Sequence, residues 1–206
     1  MARGKLITIE GIDGAGKSTL ASAVMAALLD RGVQAKLLRE PGGVRAAERI
    51  RELVKDPEAT IGARAEALLY AAARAQVVEE AVEPLLAGGA LVLLDRFVDS
   101  SLAYQGAGRQ LGVDAVRAIN DFGTGGLIPD RTLLLALDPE VGRTRSHERG
   151  TPPDRLERQP DEFFDRVAGA YGELARAEPD RIRTIDASGD PGEVLGQALN
   201  AISDLL

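Results

Sequence analysis

The densest chemistry in this 206-residue chain lies in nine consecutive residues, Gly11-Ile12-Asp13-Gly14-Ala15-Gly16-Lys17-Ser18-Thr19. The run fits G-x-x-x-x-G-K-[ST], a loop whose backbone N–H groups turn inward around a polyphosphate. Glycine allows that close approach because it lacks a Cβ. In such a loop Lys17 sets a point charge beside the β- and γ-phosphates, and Ser18 offers a hydroxyl to Mg2+. A helix starting at Lys17 adds the partial positive charge of its N-terminus.

Other residue groups could complete a site, and each has a plainer reading. Asp95-Arg96 follows an apolar run; the carboxylate could orient Mg2+ and the arginine hold phosphate, or the aspartate could simply cap the next helix. Arg39-Glu40-Pro41-Gly42-Gly43 could contact a substrate, yet Pro-Gly-Gly is also turn chemistry. Arg74 and Gln76 sit in a mainly apolar helical stretch, where long polar side chains also snorkel to the surface. Arg143, Arg145, Arg149, Arg155 and Arg158 form a guanidinium-rich segment broken by Gly150, Pro152 and Pro153. It reads either as a solvated charged loop or as a mobile lid that closes over a transferring phosphoryl group. His147, the one histidine, receives no catalytic role, because phosphoryl transfer relies on positioning and electrostatics.

The elements that must position these groups alternate along the chain. Residues 5–9 predict a short buried strand before the phosphate loop, and Leu20, Val24, Ala27 and Leu28 repeat at helical spacing after it. Further strands are expected at 33–38, 90–94, 131–137 and 181–185. Helices are expected at 44–55, 63–86 with a bend or stop at Pro84, 113–122, from 140 onward, 161–177 and 191–206. In the long one, Leu68, Leu69, Ala72, Gln76, Val77, Ala81 and Leu85 fall near one stripe. Five strands alternating with helices predict an α/β fold, a doubly wound five-stranded parallel sheet with helices on both faces. Ligands then belong at the carboxyl ends of the strands, where residues 11–19, 39–43, Asp95-Arg96 and the stretch after Asp138 all fall.

Composition bounds the class. The length suits a single domain over 1–206 with a small lid inserted near 145–159, and the charged fraction of 28% with 45% apolar residues argues against disorder. A net charge of −7 disfavours a nucleic-acid binder while permitting a local basic site. The absence of cysteine, of a visible signal peptide and of any run long enough to cross a membrane predicts a soluble cytoplasmic enzyme.

Together these stretches resemble the bacterial thymidylate kinases, within the phosphate-loop nucleoside-monophosphate kinases. The resemblance is carried by residues 11–19, 39–43, 70–76 and Asp95-Arg96-Phe97. It continues in Ser100-Ser101-Leu102-Ala103-Tyr104-Gln105-Gly106 and in Asp154-Arg155-Leu156-Glu157. It implies transfer of the γ-phosphoryl of MgATP to dTMP, with Mg2+ as cofactor, ATP and dTMP as ligands, and a homodimer as the assembly. It assigns Asp13 to the deoxyribose 3′-hydroxyl, Arg39, Arg74 and Arg96 to the dTMP phosphate, and Tyr70 to stacking on thymine. Ser101, Tyr104 and Gln105 surround base and sugar, Arg149 and Arg155 are lid arginines, and Arg145 lies near adenine. Lys17, Arg96, Arg155 and Asp95 form the implied catalytic set, with Ser18 and Asp95 at the metal. Some members carry an arginine where this chain has Gly14, so here the lid must supply the catalytic arginine. Tyr70 stands where phenylalanine is common, and Pro152-Pro153 is an addition to the lid. The competing expectations are another nucleotide or nucleoside kinase and a GTPase or ATP-driven regulatory module; the guanine-reading Asn-Lys-x-Asp of a switch is missing after Leu137.

Overall fold

The computed structural model describes residues 2–148, 150 and 152–206, the side chain at 147 aside. Its sheet is built from β1 (Leu6–Gly11), β2 (Ala35–Arg39), β3 (Leu91–Asp95), β4 (Arg131–Ala136) and β5 (Ile182–Asp186) in the spatial order β2-β3-β1-β4-β5. Every pairing among them is parallel, with Ile7 against Leu93 on one side of β1 and against Arg131 on the other. The chain starts in the middle, winds outward through β2 and β3, and later crosses to β4 and β5. The reversal opens a crevice at the carboxyl ends of β1 and β3, where open α/β sheets bind ligands.

The central strands are buried and mainly apolar because both of their faces are covered. Ile7, Ile9, Leu91 and Leu93 pack into one core with α1 (Lys17–Asp30), α8 (Asp161–Ala177) and α9 (Pro191–Ala201). Leu6, Val92, Leu94 and Phe97 pack into a second core on the opposite face. Each fully buried leucine or isoleucine of this kind stabilises the fold by roughly 1.5–3 kcal/mol. Thr8 interrupts the apolar run of β1 and bonds Thr132 across the sheet at 2.7 Å, so a buried hydroxyl is satisfied without water.

The remaining helices form the walls: α2 (Arg45–Lys55), α3 (Ala63–Val77), α4 (Glu83–Ala87), α5 (Val98–Ser101), α6 (Val113–Thr124) and α7 (Pro139–Glu148). Several expectations are corrected here. Pro84 does not end the long helix; the turn before it, Val78–Val82, widens to π geometry, which accommodates a residue that brings no N–H. The buried residues of α3 are Glu66, Ala67, Ala71, Ala73, Arg74 and Val77, so Val77 of the expected stripe is buried whereas Leu68 and Ala72 are exposed. Alanine on both sides of the helix gives the pattern no clear phase. The stretch at 97–108 is helical, with α5 passing into a π turn at Leu102–Gly108. The last helix stops at Ala201 and is followed by a short 3-10 turn at Ser203–Leu205.

Candidate active site

One cavity of about 680 Å3 runs along the carboxyl ends of β1, β2 and β3. Its floor is the phosphate loop between β1 and α1. Gly14 and Gly16 take φ of 79° and 90°, left-handed values that a side chain would strain. Gly14 is also pressed against α7: a Cβ there would lie 2.0 Å from Gly142 O. This contact explains locally why no arginine occupies the position. Lys17 is buried and donates from Nζ to Ile12 O at 2.7 Å. Burial, reinforced by the Arg96 charge and opposed by Asp13 and Asp95, pulls its ammonium pKa down to about 8. Ser18 Oγ donates to Asp95 Oδ2 at 2.8 Å, joining the first turn of α1 to the end of β3.

Arg96 is the hinge of the site. Its φ of 70° is unusual for a residue with a Cβ, and the backbone is held there by a dense set of bonds. Nη1 donates to Gly11 O and to Ser100 Oγ, each at 3.1 Å, and Nη2 donates to Asp13 Oδ1 at 2.6 Å. The guanidinium also stacks 5.0 Å over the Tyr104 ring, and the Tyr104 hydroxyl donates to Asp13 Oδ2 at 3.0 Å. Burial alone would raise the Asp13 pKa. The charges of Arg96 and Lys17 and the Tyr104 hydroxyl outweigh it, so the carboxyl stays well below its ordinary range.

Beneath Arg96 lies a residue that motif reading does not single out. Glu10, last but one in β1, is wholly buried. Its Oε1 accepts from Phe97 N at 2.7 Å and Ser100 N at 3.2 Å; its Oε2 accepts from Ser100 Oγ at 2.5 Å and the Tyr171 hydroxyl at 2.9 Å. Burial, and next to it the charge of Asp99, push its pKa up against these bonds. The only signal in the sequence is a charged residue ending an otherwise apolar strand.

The far end of the cavity is framed by β2, α3 and the helical segment after Arg96. Arg39, more than half exposed, donates from Nη2 to both oxygens of Glu48, at 3.1 and 3.2 Å. Arg74 is 2% exposed and is far from a surface side chain. Its Nε donates to Glu40 Oε2 at 2.7 Å, Nη1 to Ser101 Oγ at 2.8 Å and to Asn120 Oδ1, and Nη2 to Phe97 O at 2.8 Å. One N–H of the guanidinium is left for the cavity, too little for the forked phosphate grip expected of it. Glu40 Oε1 is buried and accepts no hydrogen bond among the described residues, and burial pushes the Glu40 pKa up to about 7 despite Arg74. Tyr70, Ser101, Tyr104 and Gln105 all line the same cavity. So does Arg51, which sequence reading passed over; its Nη1 donates to Pro41 O at 2.8 Å.

The lid residues divide. Arg145 lines the end of the cavity near Ala187 and donates from Nη1 to Ala187 O at 3.2 Å. Arg149 lies outside the described residues, as does the His147 side chain. Residues 145–148 continue α7 rather than forming loop. Arg155 is absent from the cavity wall. Its Nη1 pairs with Glu66 at 2.6 Å and its Nε donates to Val54 O at 3.0 Å, while neighbouring Asp154 pairs with Lys55 at 2.8 Å. The arginine expected over the phosphoryl group thus stands here as a clasp between residues 154–159 and the helices α2 and α3. Glu66, its partner, carries no motif and was not anticipated.

A buried cation beside a glycine loop, a hydroxyl–carboxylate pair and a second arginine-lined end can hold two phosphorylated ligands head to head. The chain is similar to known proteins along nearly its whole length. The thymidylate kinase family profile matches residues 9–197. A thymidylate kinase of Rhizorhabdus wittichii is 46% identical over 205 residues, covering 98% of this chain and 99% of that protein. One of Oenococcus oeni is 48% identical over 211 residues, 100% and 98% covered, and one of Deinococcus radiodurans is 45% identical over 204, 99% and 98% covered.

Proposed function

The chain belongs to the thymidylate kinase family and transfers a phosphoryl group from ATP to dTMP, giving dTDP, and we propose how its residues divide that work. The observation that carries the division is the single cavity joining the phosphate loop to the Arg74–Gln105 end. ATP lies with its polyphosphate in residues 11–19 (Gly11, Ile12, Asp13, Gly14, Ala15, Gly16, Lys17, Ser18, Thr19) and its base toward Arg145. dTMP lies at the other end, with its phosphate near Arg39 and Arg96 and its deoxyribose near Asp13 and Tyr104. Thymine meets Tyr70, Ser101, Gln105 and the one remaining N–H of Arg74.

Ser18 Oγ and Asp95 Oδ2, 2.8 Å apart, are the hard oxygen donors that suit Mg2+. Among the described residues no cluster of three acidic or histidine side chains adds to them, so phosphate oxygens and water would complete the ion's shell. Mg2+ held there would supply charge neutralisation to the polyphosphate. Lys17 and Arg96 spread positive charge over the transferring group. No side chain need deprotonate the acceptor, because a phosphate oxygen is already anionic at neutral pH. Asp13, kept ionised by Arg96 and Lys17, orients the sugar rather than acting as a base.

We read the chain as one kinase domain with a short lid near 145–159, working in the cytoplasm as a homodimer. The exposed apolar residues of α3 and α6 support the dimer, and no helix among the described residues is long and apolar enough to cross a membrane. An ADP-release assay with MgATP tests the acceptor assignment. Turnover is expected with dTMP and not with GMP or thymidine. Equal turnover with GMP, or ADP release indifferent to any acceptor, would overturn it.

A further inference from the structure

One carboxylate ties the acceptor end of the cavity to the root of the lid. Glu66 stands on α3 one turn before Tyr70 and is wholly buried. Its Oε1 accepts from Gln105 Nε2 at 2.9 Å and from Arg109 Nε at 3.1 Å. Its Oε2 accepts from Arg109 Nη2 at 2.9 Å and pairs with Arg155 Nη1 at 2.6 Å. Burial would raise its pKa, but the bonds from Arg109, Gln105 and Arg155 outweigh it and hold the carboxyl below its ordinary value.

An ionised carboxylate can only accept hydrogen bonds. Gln105 must therefore turn its NH2 toward Glu66, and the amide is oriented by the chemistry of its neighbour. At the other end of that amide, Oε1 accepts no hydrogen bond from the described residues, and Gln105 lines the cavity together with Ser101 and Tyr104. We propose that Glu66 is the positioning residue for base selection: by holding the Gln105 NH2 it presents Gln105 Oε1 to the acceptor base as a fixed hydrogen-bond acceptor. This rests on the reading that dTMP occupies this end of the cavity. Thymine and uracil carry a donor at N3, whereas cytosine carries a lone pair there. A carbonyl oxygen fixed opposite N3 accepts from the first two and faces a lone pair in the third, so pyrimidines with an N3–H are selected.

The test is kcat/KM for dTMP, dUMP and dCMP in the wild type, in Glu66→Gln and in Arg109→Met. The amide introduced by Glu66→Gln offers either a donor or an acceptor, which frees Gln105 to flip. The dTMP-to-dCMP ratio is expected to fall by about tenfold or more, while the dTMP-to-dUMP ratio and the KM for ATP stay unchanged. Arg109→Met removes an ion pair but leaves the carboxylate on Gln105, so it should lower the Tm and keep the dTMP-to-dCMP ratio. A Glu66→Gln enzyme with an unchanged ratio would overturn the proposal, as would an equal fall of the ratio in Arg109→Met. Should Glu66→Gln fail to fold, Glu66→Asp keeps the charge but withdraws it from Gln105 by one methylene; the same fall is expected, and an unchanged ratio refutes the role. A wild type that shows no preference for dTMP over dCMP would instead overturn the acceptor assignment itself.

Discussion

Lys17 is buried with its ammonium on Ile12 O, and burial has drawn its pKa down to about 8. The loop thus carries a cation that gives up its proton far more readily than an exposed lysine. Between about 8 and the ordinary 10.5, the unfolded chain binds the extra proton at this side chain. Stability contributed by this group therefore rises with pH in that window, while affinity for polyphosphate, which needs the ammonium, falls. In the free enzyme kcat/KM for ATP should decline above about pH 8, and Lys17→Arg should remove that limb. Lys17→Met should lower kcat on the order of 10³-fold, as loss of a charge centred on the transferring phosphoryl does. A pH profile flat to 10 in the wild type would detach Lys17 from the phosphates.

At the scale of elements, the phosphate loop works because α7 leans on it. Gly142, in α7, would bring a Cβ to 2.7 Å from Asp13 O, so glycine at both 14 and 142 lets the helix and the loop touch backbone to backbone. The segment after α7 is fastened at its far end by Arg155 on Glu66 and Lys55 on Asp154. With its guanidinium committed to a buried carboxylate, Arg155 acts here as a fastening for the lid. Arg155→Ala should cost kcat about tenfold, well short of the 10³ or more expected of an arginine at the phosphoryl group. A 10³-fold loss with an unchanged Tm would return it to the reaction centre. Much of this level was legible in the sequence. Apolar runs marked β1, β3 and β4 within a residue or two at most ends, because strands covered on both faces admit little else, and the edge strands β2 and β5 showed through their place in the alternation with helices. The glycine loop, Asp95-Arg96 and Arg39-Glu40 were visible because their residues are adjacent in the chain. The phase of α3, the π turns and the partners of Arg74, Arg155 and Glu66 were not. Alanine-rich helices carry a weak pattern, and ion pairs between distant segments leave no periodic trace.

At the scale of the whole molecule, apolar side chains stand exposed on and beside α6 and α3. Phe122 on α6 is 92% exposed, Ile128 follows it at 69%, and Leu68 and Ala72 lie exposed on α3, which packs closely against α6 through Gly123. Where such residues adjoin they mark protein–protein contact, and the proposed homodimer would use them. Phe122→Asp should shift the protein from dimer to monomer in sedimentation equilibrium, and a wild type that is already monomeric at micromolar concentration would refute the homodimer. α3 supplies both Leu68 and Ala72 of this face and Tyr70 and Arg74 of the acceptor wall, so the proposed dimer and the substrate site would share that helix.

That one cavity holds ATP and dTMP together, phosphate to phosphate, is the claim on which the rest depends. The direct measurement is inhibition by adenosine and thymidine joined 5′ to 5′ through a polyphosphate. The account predicts one molecule bound per chain and competition with both ATP and dTMP; competition with only one substrate, or two molecules bound per chain, would contradict it.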